Sequence, residues 1–448
     1  MHQNSIRSKM MSTMKRISKA ATVLLIIATY TIVPTNGNQQ QQDQLETTKP
    51  DRSTEYDGDV PLDVIEGMDP KLINFVVGGF PKCGTTYLQN KILYEAKRVF
   101  IPHHETHYLQ NDKYEEFKGE FANVTDVDEE SGKPLVSGYK SPFELGHHKS
   151  LRNLAALFPD VRMIISLRHP ITQFESLYNY KLRKLPEMPP PADEYVGYCR
   201  EQCPSSSTSE SGTVGTVVAK KFAQRCLKGV TFCSGQANYH HYLSRLGLTP
   251  MNTPEELDLL DHHDMSIHHF PGWQKESTTT TSSSGQQSYI RSPRLNSEAS
   301  RREGSSDSDS SGNVNGNGKL FLLEVKQFDN RVSQSMADDL NTDLERFLGL
   351  DYGDLPRAPP RDGDKKPKPE YDYPPGREEH VLDICLEQYK PLREVLLESS
   401  RKASKWIMEY LLHPSNRDMV IVSSIETFER MLEEWKVDPC MENDGMNE

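Results

Sequence analysis

The sequence predicts an α/β protein with three layers, in which helices cover both faces of a central parallel sheet. Short runs of apolar, often β-branched residues alternate with segments whose apolar residues recur at helical spacing, which is the pattern of repeated strand–helix–strand units. The runs that predict strands are 73–77, 161–167, 320–325 and 419–422. Only 35% of the residues are hydrophobic, which indicates that disordered tracts separate the folded blocks.

The stretch after the first predicted strand organises the chain. It runs from Gly78 to Gly84 and leads into a segment of helical spacing that begins at Thr85. A strand, a glycine loop and a helix form a cradle for an anion, because bare backbone N–H groups and the helix N-terminus face the ligand. Lys82 lies inside the loop, whereas a Walker A motif has its lysine directly after the second glycine.

A lysine inside the loop followed by Gly-Thr-Thr resembles the 5′-phosphosulfate loop of sulfotransferases that use 3′-phosphoadenosine 5′-phosphosulfate (PAPS). The resemblance implies a three-layer fold like that of P-loop-containing nucleotide hydrolases, with a central parallel sheet. It also implies PAPS as the co-substrate. The cofactor-binding positions it assigns in this loop are Lys82, Cys83, Gly84, Thr85 and Thr86.

A second anion site is predicted after the strand at 161–167. Arg168 ends that strand, Pro170 starts a helix and Ser176 lies on the helix. An arginine fork matches a phosphate with two hydrogen bonds, and a hydroxyl adds a third. The spacing of Arg168 and Ser176 resembles the 3′-phosphate motif of the same sulfotransferases, which implies that both residues bind PAPS.

The polar cluster at 103–107 contains the candidate catalytic base. Transfer to a hydroxyl or amine needs a group that takes the proton. The order Glu105-Thr-His107-Tyr resembles a segment of Golgi carbohydrate sulfotransferases in which the glutamate is the base, which implies Glu105 as base with help from His107. A metal site at these histidines is the alternative, although the spacing is not His-Glu-x-x-His; the mechanism implied by the resemblance needs no metal.

The first 34 residues predict that the chain enters the secretory pathway. Residues 1–19 form a basic tail that we expect to be cytosolic, and 20–34 is an uncharged, mostly apolar run. A signal anchor and a cleaved signal peptide both fit this pattern. The anchor is preferred because the basic lead is long and a clear cleavage site is missing. We therefore expect a single-pass type II protein of the Golgi membrane with a lumenal catalytic domain.

Cysteine usage fits an oxidising lumen. Cys83 lies in the glycine loop and is expected to be free, whereas six others form an even, clustered set. We expect Cys385 to pair with Cys440 and two further bridges among Cys199, Cys203, Cys226 and Cys233; zinc ligation by the latter four is the alternative. A glycosylation sequon at Asn123 is weak additional support.

Beyond the leader, we expect a disordered stalk at 35–70 and a single catalytic domain at 71–440. Disordered insertions are predicted near 186–218, 275–318 and 351–379, because these stretches are rich in proline, serine, glycine or charge. Residues 110–133 are expected to form a surface loop. The basic patch at Lys181, Arg183 and Lys184 is interpreted as a solvated helix face.

Taken together, these features imply a sulfotransferase that moves a sulfuryl group from PAPS to a glycan or proteoglycan acceptor. Two other classes remain open: a P-loop kinase or NTPase, and a catalytically inactive lumenal glycan-binding protein of the same fold. Thr85 stands where a kinase would carry its lysine. The net charge of −13 argues against nucleic acid as a partner.

Overall fold

Six strands among the described residues form one parallel sheet. The structure is a computed structural model, and it describes residues 60–200 without 123, 125, 126, 129 and 130; 229, 232, 233, 239–248, 270 and 273; 318–357 without 330–332; and 373–441. The strands are β1 (Phe75–Gly79), β2 (Val99–Phe100), β3 (Val136–Lys140), β4 (Arg162–Leu167), β5 (Leu320–Glu324) and β6 (Val420–Val422).

Helices connect these strands and cover the sheet. They are α1 (Leu62–Gly67), α2 (Thr85–Tyr87, continued as a π-helix over Leu88–Leu93), α3 (Tyr114–Phe121), α4 (His148–Leu157), α5 (Pro170–Lys184), α6 (Tyr195–Cys199), α7 (Tyr239–Ser244), α8 (Gln334–Leu348), α9 (Lys390–Trp406, continued as a π-helix over Ile407–Leu411) and α10 (Ile425–Glu434). Local signals set several of these ends. Ser333 caps α8 by accepting a hydrogen bond from the Met336 N–H, and Gly349, at φ 74°, ends it in the left-handed conformation.

The strand order is β2-β3-β1-β4-β5-β6. From β1 the chain goes to the edge strand β2, returns to place β3 between β2 and β1, and then crosses to the other side of β1 for β4, β5 and β6 in turn. In such a sheet the crevice for a ligand lies at the carboxyl ends of the strands where the direction reverses. The loop that follows β1 occupies this position.

Two apolar clusters cover the two faces of the sheet, which confirms the three-layer α/β fold. Alternate residues of one strand point to opposite faces, so Val76 joins one cluster while Phe75 and Val77 join the other. The first cluster adds buried residues of α3, α4, α7 and α10. The second adds buried residues of α2 and α8. The same alternation in β4 and β5 explains their almost continuous apolar runs.

A third cluster joins α5, α6 and α9. It contains the half-cystine Cys440, which is bonded to Cys385 as predicted. Cys199 is bonded to Cys233, whereas Cys203 and Cys226 lie outside the described residues. The last block of the chain thus packs on α5, the helix that starts at the second predicted anion site.

Three segments are more ordered than the sequence indicated. Residues 60–70, expected to belong to the stalk, contain α1, and Val60 and Met68 join the core. Residues 110–133, expected to be a surface loop, contain α3, whose Phe117 and Phe121 are buried. Residues 192–199, within the predicted insertion at 186–218, form helical turns with buried Tyr195 and Tyr198. In each case a few aromatic or apolar residues inside a polar stretch find a partner surface that local composition does not reveal.

The remaining predictions on chain organisation lie outside the described residues. They concern the basic tail at 1–19, the apolar run at 20–34, the stalk up to residue 59 and the sequon at Asn123. Of the predicted insertions at 186–218, 275–318 and 351–379, they concern residues 201–218, 275–317 and 358–372. Among the residues that are described, none of the helices has the length and apolar character needed to cross a membrane.

A buried carboxyl group lies directly after β3. Glu144 is only 2% exposed, accepts a hydrogen bond from Tyr139 Oη at 2.9 Å, and is also contacted by Ser150 Oγ on α4. Burial raises the pKa of Glu144 to about 7, although hydrogen bonds from Ser150, Tyr139 and Ser141 lower it. An acid with a raised pKa binds more protons when the protein is folded, so its contribution to stability is lost as the pH rises from about 4.5 to about 7.

We expect Glu144→Gln to remove this dependence, because glutamine keeps the shape without an ionisable proton. Relative to the variant, the wild-type free energy of unfolding should fall by on the order of 3 kcal/mol between about pH 4.5 and 8. Urea unfolding at a series of pH values measures the difference. Glu398→Gln, which changes an exposed carboxylate, is the control, and a wild-type-minus-variant difference that stays constant with pH would contradict the prediction.

Candidate anion-binding site

The loop after β1 has the backbone of a phosphate cradle. Gly79 and Gly84 have φ values of 102° and 80°, and Lys82, a residue with a side chain, has φ 67°. A Cβ on Gly84 would come within 2.8 Å of Val325 Cγ2, so glycine is required by contact as well as by conformation. The helix that follows begins at Thr85, and its first N–H groups have no acceptor within the helix.

Neighbouring elements hold the loop by its carbonyl groups. The Gln173 side-chain amide on α5 donates to the Pro81 carbonyl oxygen at 2.9 Å, and Arg168 Nη1 donates to that of Lys82 at 3.3 Å. The Ser166 hydroxyl on β4 donates to the carbonyl oxygen of Cys83. Three consecutive carbonyl groups are therefore fixed from β4, its end and α5, which leaves the loop little freedom.

Sheet register brings further charged residues to the loop. Lys140 at the end of β3 lies opposite Val77, and Ser166, two residues before Arg168, lies opposite Gly79. Glu324 at the end of β5 lies opposite Leu167. Lys140, Arg168 and Glu324 therefore meet the loop at one edge, although they are far apart in sequence.

Four cations surround the candidate site. Burial lowers the pKa of Lys82, and the positive charges of Arg183, Arg168 and Lys140 lower it further, while Glu105 raises it. The Lys82 ammonium lies 4.7 Å from the centroid of the Tyr180 ring, an attractive arrangement for a cation. Like charges held together in a partly buried place favour an anionic ligand, because the ligand removes their mutual repulsion.

The predicted base is joined to this cluster through Lys140. That lysine is 2% exposed, and its ammonium donates to Glu105 Oε1 at 2.7 Å and to Thr86 Oγ1 at 2.8 Å. The backbone N–H of Thr106 also donates to the Lys140 carbonyl oxygen at 3.1 Å. The structure thus places Glu105 beside the start of α2, where the loop ends. The half-exposed carboxylate keeps a face open to solvent.

His107 has a less definite position. Its side chain is half-buried, its ring centroid lies 6.1 Å from that of Phe143, and its Nδ1 is buried without a hydrogen-bond partner. The other histidines of the cluster have separate partners: His103 packs against the Tyr94 ring and His104 lies near the Glu120 carboxylate. Within the described residues no group of three or more His, Cys, Asp or Glu side chains converges in a way that could hold a metal ion.

Arg168 and one face of α5 form the second predicted anion site. Arg168 Nε donates to Thr172 Oγ1 at 3.2 Å. Ser176 is half-buried and lies one helical turn after Thr172 and one turn before Tyr180, so these three residues share a face. Ser176 therefore lies between a residue that contacts Arg168 and the ring that faces Lys82, and the two predicted anion sites adjoin.

Two further residues of this face, Tyr180 and Arg183, were not predicted. They lie four and seven residues after Ser176, so the helical period counted from Ser176 places them on the same face. Arg183 acts electrostatically on Lys82 and is not simply part of a solvated patch. Lys181, from the same patch, packs over the Phe232 ring at 4.1 Å, and burial lowers its pKa to about 8.

Two residues of the site are turned away from any ligand. Cys83 Sγ is completely buried and lies 3.6 Å from the Tyr239 hydroxyl. Glu324 is 1% exposed, accepts a hydrogen bond from the Lys326 N–H at 2.6 Å, and burial raises its pKa to about 7. Because the Cys83 thiol is buried, a ligand could meet only the backbone of Cys83.

Comparison with known proteins gives limited information. No family model matches the chain, and no curated protein matches it. Among solved structures, the chain is similar to the crystal structure of a sulfotransferase from Alicyclobacillus acidocaldarius, with 12% identity, a TM-score of 0.35, and coverage of 75% of this chain and 96% of that one.

We expect Cys83 to be unreactive in the folded protein despite its place in the loop. Burial raises the pKa of its thiol to about 12, an effect that exceeds the opposing hydrogen bond from Tyr239. Alkylation at pH 8 should be on the order of 10²–10³-fold slower than for an exposed thiol, because the thiolate is the reactive form. Mass spectrometry of the Cys83 peptide after timed iodoacetamide treatment measures the rate.

The same reaction in guanidinium chloride is the control and should label Cys83 at the rate of an exposed thiol. Rapid labelling of the folded protein would show that the side chain faces solvent, contrary to the structure.

Proposed function

We propose that this chain is a sulfotransferase that transfers a sulfuryl group from PAPS to a hydroxyl or amine of a glycan or proteoglycan. The observation that carries the proposal is the concentration of Lys82, Lys140, Arg168 and Arg183 around one glycine loop, with the carboxylate of Glu105 bonded to Lys140. This arrangement offers cations for two separate anionic groups and a base between solvent and the loop.

The loop and Arg168 suit the two ends of the PAPS anion. Backbone N–H groups at Gly84, Thr85 and Thr86 would hold the 5′-phosphosulfate, as helix N-termini hold phosphates. Arg168 and Ser176 would hold the 3′-phosphate. The glycine positions leave room for close backbone approach, and the surrounding cations match the charge of the ligand, so the residues present fit this co-substrate.

The chemical step needs charge neutralisation and proton removal. The bond between sulfur and the 5′-phosphate oxygen breaks while a bond between sulfur and the acceptor oxygen or nitrogen forms. Lys82 would neutralise the charge left on the phosphate oxygen. Glu105 would take the acceptor proton, and Lys140 would hold the Glu105 carboxylate in place. As in phosphoryl transfer, most of the catalysis would come from positioning and electrostatics.

A P-loop kinase or NTPase is less well supported. Thr85 occupies the place of its lysine, and β4 ends at Leu167 and is followed by Arg168 rather than by an acidic residue. Glu324 ends β5, but its carboxyl group is buried and caps the next turn.

A catalytically inactive glycan-binding protein would keep the loop without turnover. Incubation of the purified chain with ³⁵S-labelled PAPS or γ-labelled ATP and a panel of glycans separates the three functions.

The Golgi membrane remains the proposed location, with the catalytic domain in the lumen and the apolar run at 20–34 as the anchor. The disulfides Cys199–Cys233 and Cys385–Cys440 support an oxidising compartment. A location in the secretory pathway also fits a glycan acceptor, because glycans are built in that pathway. The acceptor panel therefore starts with glycans and proteoglycan chains.

Lys82→Ala should fold normally and lower kcat by about 10²–10³-fold, the effect of losing one preorganised charge-stabilising donor. Sulfuryl transfer to the best acceptor of the panel measures the change. Lys184→Ala, which removes an exposed lysine of α5, is the matched control and should keep wild-type activity. A Lys82→Ala enzyme within threefold of wild type would eliminate the proposed role of the lysine.

Glu105→Gln keeps the shape of the side chain and removes its basicity. We expect nearly normal PAPS binding with kcat lower by about 10²-fold or more, and a smaller loss for His107→Ala. Isothermal titration and steady-state rates measure the two quantities. Glu120→Gln, which changes a carboxylate near His104 and Tyr108, is the control.

Two outcomes would change this assignment. Full activity of Glu105→Gln together with an inactive His107→Ala would make the histidine the base. Restoration of a chelator-treated enzyme by added zinc would instead identify the cluster at 103–107 as a metal site.

A further inference from the structure

The C-terminal segment, residues 435–440, contacts the turn that carries Arg168. His169 Nε2 lies 3.2 Å from the Val437 carbonyl oxygen. The Trp435 ring packs against the Tyr239 ring at 5.4 Å, and the Tyr239 hydroxyl lies 2.7 Å from the Arg168 carbonyl oxygen. The position of Arg168 and His169 therefore depends on the C-terminal segment, directly through the Val437 carbonyl group and indirectly through Tyr239, which packs on Trp435.

His169 connects the two sides of this contact with its two ring nitrogens. Its Nδ1 accepts the Ile171 N–H at 3.2 Å and so caps α5. Nε2 therefore carries the proton and donates to the Val437 carbonyl oxygen. Burial lowers the pKa of His169 to about 4, so the ring stays neutral near pH 7 and keeps both bonds. The ring is 5% exposed, which means that a ligand cannot reach it.

Other contacts fix the segment firmly to α9. Ser400 Oγ donates to the Trp435 carbonyl oxygen at 2.7 Å, and Arg393 Nε donates to the Asp438 carboxylate at 2.8 Å. The Cys385–Cys440 disulfide closes the end of the segment. The Val437 carbonyl group therefore has a fixed position, and its bond to His169 holds the turn at Arg168 in place.

We propose that His169 is a positioning residue for the 3′-phosphate site, through which the C-terminal segment sets the place of Arg168. The inference rests on the proposed function, because it assumes that Arg168 binds the 3′-phosphate. Arg168 donates to Thr172 and to the loop at Lys82, so a small shift of its backbone moves the guanidinium relative to both. Misplacement by about 1 Å is enough to weaken a bidentate contact strongly.

Two substitutions separate the two bonds of His169. In His169→Asn the side-chain oxygen can replace Nδ1 as the helix cap, but the side chain is too short to reach Val437. In His169→Gln the amide N–H₂ can replace Nε2 and restore the bond to the Val437 carbonyl oxygen. The measurement is calorimetric affinity for 3′-phosphoadenosine 5′-phosphate and for adenosine 5′-phosphate, which lacks the 3′-phosphate.

We expect His169→Asn to lose about threefold to tenfold in affinity for the 3′-phosphorylated nucleotide, the effect of one hydrogen bond, with unchanged affinity for adenosine 5′-phosphate. His169→Gln should bind both nucleotides as the wild type does. Added to Arg168→Ala, His169→Asn should cause no further loss, because the histidine acts through the arginine.

The chain contains a matched control at His413. This exposed histidine also precedes a proline and accepts a backbone hydrogen bond, from the Ser415 N–H at 3.3 Å, but it lies in the loop before β6. His413→Asn should leave both affinities unchanged. If His169→Asn is not recovered folded, Cys385→Ser/Cys440→Ser carries the same test, since it releases the segment at its end and should lower the same affinity selectively.

The outcomes are distinguishable. Equal losses for both nucleotides, or no loss for either, in His169→Asn would overturn the positioning role while leaving the proposed function intact. A wild-type protein that binds the two nucleotides equally would instead overturn the proposed function, and the inference with it.

Discussion

The alignment of β1 with β4 is the constraint on which the site depends. Gly79 lies opposite Ser166, so the Ser166 hydroxyl reaches the carbonyl oxygen of Cys83 and the end of β4 delivers Arg168 to the loop. A shift of register by one residue would turn Ser166 to the other face of the sheet. The loop would then lose a donor, and Arg168 would lose its contact with the Lys82 carbonyl group.

Whereas these contacts stabilise the site, the positive charges that meet there repel one another. The chain is acidic as a whole, with a formal charge of −13, yet Lys82, Arg168, Arg183 and Lys140 meet at one edge of the sheet. Partial burial of several cations destabilises the free protein unless an anion neutralises them. The protein reduces this cost with the Glu105 carboxylate on Lys140 and the Tyr180 ring beneath Lys82. A local field of this kind attracts an anion to the loop.

The end of the chain takes part in the same arrangement. α9 packs on α5 through the third apolar cluster, and the residues that follow α10 are bonded to α9 and to His169. A block without any recognisable motif is thus connected to the best-defined motif of the sequence. Two bonds of this connection are accepted by the backbone carbonyl groups of Trp435 and Val437, which act as acceptors whatever their side chains are.

The sequence by itself determined the local parts of this protein. The β-branched run before Gly78, the glycines and the helical spacing after Thr85 predicted the strand, loop and helix that are observed. Arg168, Pro170 and Ser176 were predictable because the strand end, the helix start and the helical period are set by neighbours in the chain. The binding of the two anionic groups of PAPS by these parts is our proposal and rests on the geometry described above.

Only the tertiary structure decided what converges on the loop. Lys140 and Glu105 form an ion pair across 35 residues of sequence, and His169 bonds to a carbonyl group 268 residues away. Such contacts depend on strand register and on the faces that helices turn toward one another, which periodicity within a segment does not specify. For the same reason α3 and residues 192–199 looked like loops in the sequence: their few aromatic residues pack on surfaces that are distant in the sequence.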